Sequence, residues 1–107
     1  TRSVQPTMKP TTTRNYADSD RSAPYTPWGK AQSVTTIARG VRWVSTASHG
    51  GLGVSEALAR KVFTAAARAA GFTQGGYVWF EEDCDAEVAF SEHPEWETTL
   101  RAANRAA

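Results

Sequence analysis

The stretch from Ser55 to Gly71 constrains the fold more than any other part of the chain. Ser55 is a good N-cap residue, Glu56 suits the positive end of a helix dipole, and alanines fill the body. Leu58, Val62, Ala65, Ala66 and Ala69 recur at helical spacing and predict one apolar stripe, with Arg60, Lys61 and Arg68 turned away from it. Gly71 stands where a left-handed C-cap belongs. A one-sided helix needs a surface to cover its stripe, and the flanking segments offer one.

Those flanks read as strands. Gln32–Ala38 is rich in β-branched residues, Arg39-Gly40 makes a short turn, and Val41–Thr46 alternates, with Val41 and Trp43 on one face and Arg42 and Val44 on the other. Two short strands around a glycine turn predict an antiparallel hairpin. After Gly75-Gly76, the aromatic run Tyr77–Phe80 predicts another strand. Asp85–Phe90 fits either period; the alternation of Ala86, Val88 and Phe90 favours a strand, while Asp83 or Asp85 would open a helix. Pro94 then begins a final helix carrying Trp96, Leu100 and Ala103 on one face. The expectation is an α+β fold: a small antiparallel sheet of three or four strands with one or two packed helices, in the order ββαβ(β)α.

A chain of 107 residues has room for one domain, expected over residues 26–107. Order is expected to begin at Thr26-Pro27-Trp28-Gly29, with Trp28 anchoring into the core. Residues 1–25 hold few large apolar groups among many threonines, serines and prolines, and are expected to be a disordered arm. Cys84 is the sole cysteine, so no internal disulfide forms and nothing suggests an oxidising compartment. The sequence has neither an apolar secretory stretch nor a run approaching the roughly 20 apolar residues that cross a bilayer. A cytoplasmic protein without membrane contact is expected.

The net charge of +1 conceals a strong polarity. Residues 1–70 carry ten Lys/Arg against three acids, and residues 71–107 carry two Arg against eight acids, giving +7 and −6. Such a split suits an acidic surface facing a basic partner, or a basic arm at 1–25 facing nucleic acid.

Two segments read as a candidate site. In Ser45–Ser55 a histidine, His49, is backed by Gly50, Gly51 and Gly53 between a strand and a helix, where glycines permit close approach of a ligand to the backbone. The second is the acidic block Glu81, Glu82, Asp83 and Asp85, extended by Glu87. His49 with Glu81 or Asp83 would make an acid–base pair, and His49, Cys84 and the carboxylates a metal site. The four acids around Cys84 raise a thiol pKa and argue against a cysteine nucleophile. Adjacent strand residues point to opposite faces, so only alternate members of the acidic block converge. Read as a surface, Glu81 through Glu97 imitate a nucleic-acid backbone and suit a basic groove.

The blocks Thr26-Pro27-Trp28-Gly29, Val44–Gly51 and Trp79–Asp85 together resemble a small domain of unknown function found in phages, plasmids and other bacterial mobile elements. The resemblance covers roughly residues 26–96. That family often has a tryptophan after the acidic block, where this chain has Ala86. The resemblance implies a mobile-element origin and carries over no activity or catalytic residues.

The expected function is therefore a small binding protein that antagonises a bacterial defence system, of the anti-CRISPR or anti-restriction type, by occluding a host protein or nucleoprotein complex with a basic surface. Its binding residues would be Trp28, His49, Gly50, Gly51, Glu81, Glu82, Asp83, Asp85 and Glu87, with no metal or cofactor. The alternatives are a small hydrolase or metal-dependent enzyme centred on His49 and the Glu81–Asp85 carboxylates, and a nucleic-acid binder using the arm at 1–25.

Overall fold

The computed structural model describes residues 11–106. Its fold is α+β: a six-stranded antiparallel sheet, a separate two-stranded ribbon and four helices. The strands are β1 (Thr12–Asn15), β2 (Tyr25–Thr26), β3 (Gly29–Lys30), β4 (Ser33–Ala38), β5 (Val41–Ser45), β6 (Gly50–Ser55), β7 (Phe72–Gln74) and β8 (Tyr77–Glu81). The helices are α1 (Glu56–Val62), α2 (Ala65–Ala70), α3 (Ala86–Glu92) and α4 (Pro94–Ala106). The large sheet runs β1-β4-β5-β6-β8-β7, and β2 pairs with β3.

The β4–β5 hairpin and β8 form where the residue pattern places them, with Gly40 at φ 80° in the turn. Three features differ from the sequence expectation and enlarge the sheet. Thr12–Asn15, expected in the disordered arm, pairs with β4, and Thr13 and Thr35 share a hydroxyl hydrogen bond of 2.9 Å. Threonine suits a strand edge even without apolar partners. Residues 1–10 of the expected arm lie outside the described residues. Phe72–Gln74 adds an edge strand through the Gly75-Gly76 turn, where both glycines have positive φ (62° and 84°).

The largest correction concerns the glycine segment. Gly50–Ser55 is a strand at the centre of the sheet, between β5 and β8, and Gly50 through Val54 are all buried. Isolated glycine weakens a strand, but two paired neighbours and overlying rings supply what the missing side chains do not.

The expected single helix over 56–70 is two. Ser55 caps α1 as expected, its Oγ accepting from the Leu58 N–H at 3.3 Å. Phe63 then turns extended (φ −108°, ψ 148°) and Thr64 caps α2. This break re-phases the apolar stripe: Ala59, Phe63 and Ala67 are buried, while Ala65, Ala66 and Ala69 are exposed. Gly71 is extended (φ −93°, ψ −170°), not left-handed. Asp85–Phe90, for which alternation favours a strand, is the helix α3, because Ala86 and Ala89 meet the core at i, i+3 spacing.

The helices cover one face of the sheet. Beneath them lie Val41, Leu52, Val54, Val78 and Phe80, joined by Phe63, Trp96 and Leu100. The other face carries Val34, Val44 and Trp79, with Tyr16, Trp28 and Tyr77 packed around them.

The break between α1 and α2 is held from α3. Glu92 accepts from the Thr64 N–H (3.0 Å) and from the Thr64 hydroxyl (2.6 Å), and Thr64 Oγ1 in turn accepts from the Ala67 N–H (3.1 Å). The Thr64 bonds hold the Glu92 carboxyl below the usual range. A carboxyl whose pKa is lower when folded stabilises the fold above its unfolded value of about 4.3, and that contribution is lost as pH falls through the lower folded value. Glu92→Ala is therefore expected to lower stability at neutral pH and to converge on the unaltered protein as pH falls through the lowered folded value. Urea midpoints measured from pH 7 down to 3 check this; a pH-independent gap would contradict it. Thr64→Ala should cost about 1 kcal/mol as a lost cap.

Candidate functional site

Every second residue of β6 faces the helices, and this alternation divides the expected site. Gly50 lies on the helix side. A Cβ there would sit 3.2 Å from Glu82 Oε1 and 2.8 Å from the Val44 carbonyl oxygen, so its missing side chain leaves room for Glu82. The Glu82 N–H donates to the Gly50 carbonyl at 3.1 Å. Gly51 faces the opposite way, and Trp28 ring atoms and the Phe80 carbonyl occupy the space its side chain would need. The glycines thus admit this chain's own groups, not the external ligand expected from the sequence.

His49 is exposed at the tip of the β5–β6 turn, where its N–H donates to Thr46 Oγ1 at 3.1 Å. Among the described residues its ring is in no hydrogen bond or ion pair with a carboxylate, and no three His, Cys, Asp or Glu side chains are grouped to hold a metal. Neither the acid–base pair nor the metal site is therefore assembled. Partial desolvation, then the carboxylates of Glu81, Asp85 and Asp83, push the Cys84 thiol up, and its Sγ donates to Glu81 Oε1 at 3.8 Å. A raised pKa leaves little thiolate for nucleophilic chemistry.

His93, which the sequence leaves apart, packs half-buried against the core instead. Its Nε2 donates to the Val62 carbonyl at 2.8 Å, its Nδ1 meets Glu95 at 3.1 Å, and its ring stacks on Trp96 at 4.1 Å. It ties α1 to the junction of α3 and α4.

Trp28 belongs to the open face. Its ring meets Trp79 edge-on at 5.7 Å and Phe72 at 6.2 Å, and it borders a cleft with Tyr16, Lys30, Thr46 and Ala47. Nearby, the Arg42 guanidinium lies 4.3 Å from the Tyr77 ring centroid. Trp28 therefore lies over Gly51, whose partner in β8 is Glu81, on the face opposite Glu82.

Two of the block's acids meet a different surface. Glu82 and Glu87 line a groove of about 310 Å³ on the helix side, together with Trp43, Phe90, Glu97 and Arg101. Trp43 and Phe90 stack at 6.1 Å with planes 20° apart. Glu97 is paired with Arg101 at 3.1 Å. Among the described residues, Glu81, Glu82, Asp83, Asp85 and Glu87 make no ion pair. Sequence reasoning grouped Glu97 with the acids but missed Trp43, Phe90 and Arg101 as neighbours of the block. The alternation that places Trp43 on the core face of β5 was the one usable signal, and Phe90 lay hidden in the segment that fits both periods.

The acidic turn and the His49 turn thus share one end of the sheet, linked by the Glu82–Gly50 contact, while the Arg39-Gly40 and Gly75-Gly76 turns close the other end. A family described as "Domain of unknown function (DUF7007)" matches residues 21–107. No curated protein and no solved structure matches the chain.

Proposed function

We propose that this chain, which belongs to the DUF7007 family of unknown function, is a binding protein whose acidic end occludes a basic surface on a host protein or nucleoprotein complex. The reading rests on one observation: the five carboxylates between Glu81 and Glu87 lie at one end of the sheet and form no ion pair among the described residues. Uncompensated like charges repel one another and lower the stability of the isolated fold. A basic partner relieves that repulsion and is steered to this end over a Debye length. A partner groove that normally holds a nucleic-acid backbone has the matching charge. Blocking such a groove is how an antagonist of a bacterial defence system would act, and a mobile-element origin agrees with that role. No membrane is involved in this reading; among the described residues no helix is long and apolar enough to cross one.

The test compares the chain with a variant carrying Glu81→Gln, Glu82→Gln, Asp83→Asn and Asp85→Asn. Immobilised chain should capture from bacterial lysate a protein that releases bound nucleic acid on capture, and the variant should retain it at least roughly tenfold less at low salt. High salt should narrow the difference. Equal capture by both forms at low and high salt would sink the proposal.

A further inference from the structure

The groove between β5, α3 and α4 has a composition that solvation alone does not require. Its floor is the stacked pair Trp43 and Phe90, both partly buried, and its rim holds Glu82, Glu87 and Glu97. Three carboxylates face one guanidinium, that of Arg101, which is already committed to Glu97. The groove therefore keeps two negative charges above an aromatic surface. A cation with a flat, weakly hydrated face matches both parts at once: its plane stacks on the indole while its N–H groups fork to a carboxylate. An ammonium is a strongly hydrated point charge and matches only the carboxylates.

We infer that this groove receives an arginine side chain from the basic surface of the partner, with the guanidinium stacked on Trp43 and hydrogen-bonded to Glu87 and Glu82. The inference rests on the acidic-end reading and narrows it from general charge complementarity to a specific seat. Gly50 contributes by leaving space for Glu82, because any Cβ there would lie 3.2 Å from the carboxylate oxygen. The occupant is a protein segment; its arginine enters from solvent beside α3, where Glu87 is exposed.

The probe is a synthetic peptide of alternating arginine and glycine, titrated into the full chain. The signal is the indole N–H resonance of Trp43, identified as the one lost in Trp43→Phe among the four tryptophans. The Trp43 resonance should move saturably with the arginine peptide, at least about fivefold more weakly with its lysine counterpart, and not at all with citrulline, which keeps the shape without the charge. Glu87→Gln, a change at an exposed helical position, should weaken the arginine response about three- to tenfold. The indole signals of Trp28 and Trp79, on the opposite face, should stay in place.

A stationary Trp43 resonance overturns the inference, as does an equal response to lysine or citrulline, or an unchanged response in Glu87→Gln. If the peptide moves the backbone amides of Glu81–Asp85 while Trp43 stays fixed, the groove is not the seat and the acidic-end reading survives. Failure of that broader reading shows separately, as equal capture by the four-residue variant.

Discussion

Gly51→Val is expected to destabilise the protein by roughly 3 kcal/mol or more, which lowers the thermal midpoint by on the order of 15 °C for a domain of this size. Gly51 lies in β6 with strands on both sides, so the strand has no free direction in which to shift. A Cβ at this position would lie 2.5 Å from the Phe80 carbonyl oxygen, a backbone atom of the adjacent strand, and would also meet the Trp28 ring. That ring is held by its edge contact with Trp79, which is 3% exposed and donates its Nε1–H to the Gln74 carbonyl at 2.9 Å. Valine at 51 must therefore either part β6 from β8 or expel Trp28 from its site. Gly75→Ala is the informative contrast. A side chain there meets nothing within 4 Å, and the cost comes from the positive φ of 62° alone, about 1–2 kcal/mol. Thermal unfolding followed by far-UV and near-UV circular dichroism separates the two. A Gly51→Val midpoint within a few degrees of the unaltered protein would contradict this packing.

Phe63→Ala is expected to cost about 3–5 kcal/mol, the range for deleting a buried aromatic ring. Phe63 is the residue at which the helical run breaks, and its extended backbone places the ring inside. The ring, 6% exposed, packs 5.2 Å from Phe80 in the sheet, 5.2 Å from His93 at the α3–α4 junction and 5.6 Å from Trp96 in α4. One side chain thus joins the sheet to both C-terminal helices. Phe63→Leu fills part of the space and should cost much less. Urea unfolding checks this: the midpoint should fall with an unchanged slope. A loss below about 1 kcal/mol for alanine would mean that the ring is not at the centre of these contacts.

These two residues also show where sequence patterns stop being informative. The β4–β5 hairpin, β8, the Ser55 cap and the Pro94 helix are written in local chemistry: β-branched runs, a glycine turn, a hydroxyl that accepts a hydrogen bond, a first-turn proline. Gly50–Ser55 reads as a loop because three of its six residues are glycine. Its strand state depends on partners 5 to 30 residues away in sequence, namely Val41–Ser45 and Tyr77–Glu81. Likewise, alanines on both sides of Phe63 favour one continuous helix. The break is selected by what the ring gains in the core and by Glu92 holding Thr64. The alternation of Ala86, Val88 and Phe90 suggests a strand, yet Ala86 and Ala89 take the buried positions of a helix.

The candidate site divides along the same line. The concentration of charge and its position after an aromatic strand follow from residue order alone, and so does the rule that neighbouring strand residues face opposite ways. That rule sends Gly50 toward Glu82 and Gly51 toward Trp28, and so splits one apparent site into two surfaces. Composition and local period determine the β4–β5 hairpin, β8, the start of α1 and the Pro94 helix, where the charge lies and that the fold is α+β, because those properties arise between residues a few positions apart. Tertiary structure alone decided that the glycine run is the central strand and that Glu82 and Glu87 border the Trp43–Phe90 groove. Both depend on contacts between distant segments, whose free energy exceeds the small local preferences that sequence patterns express.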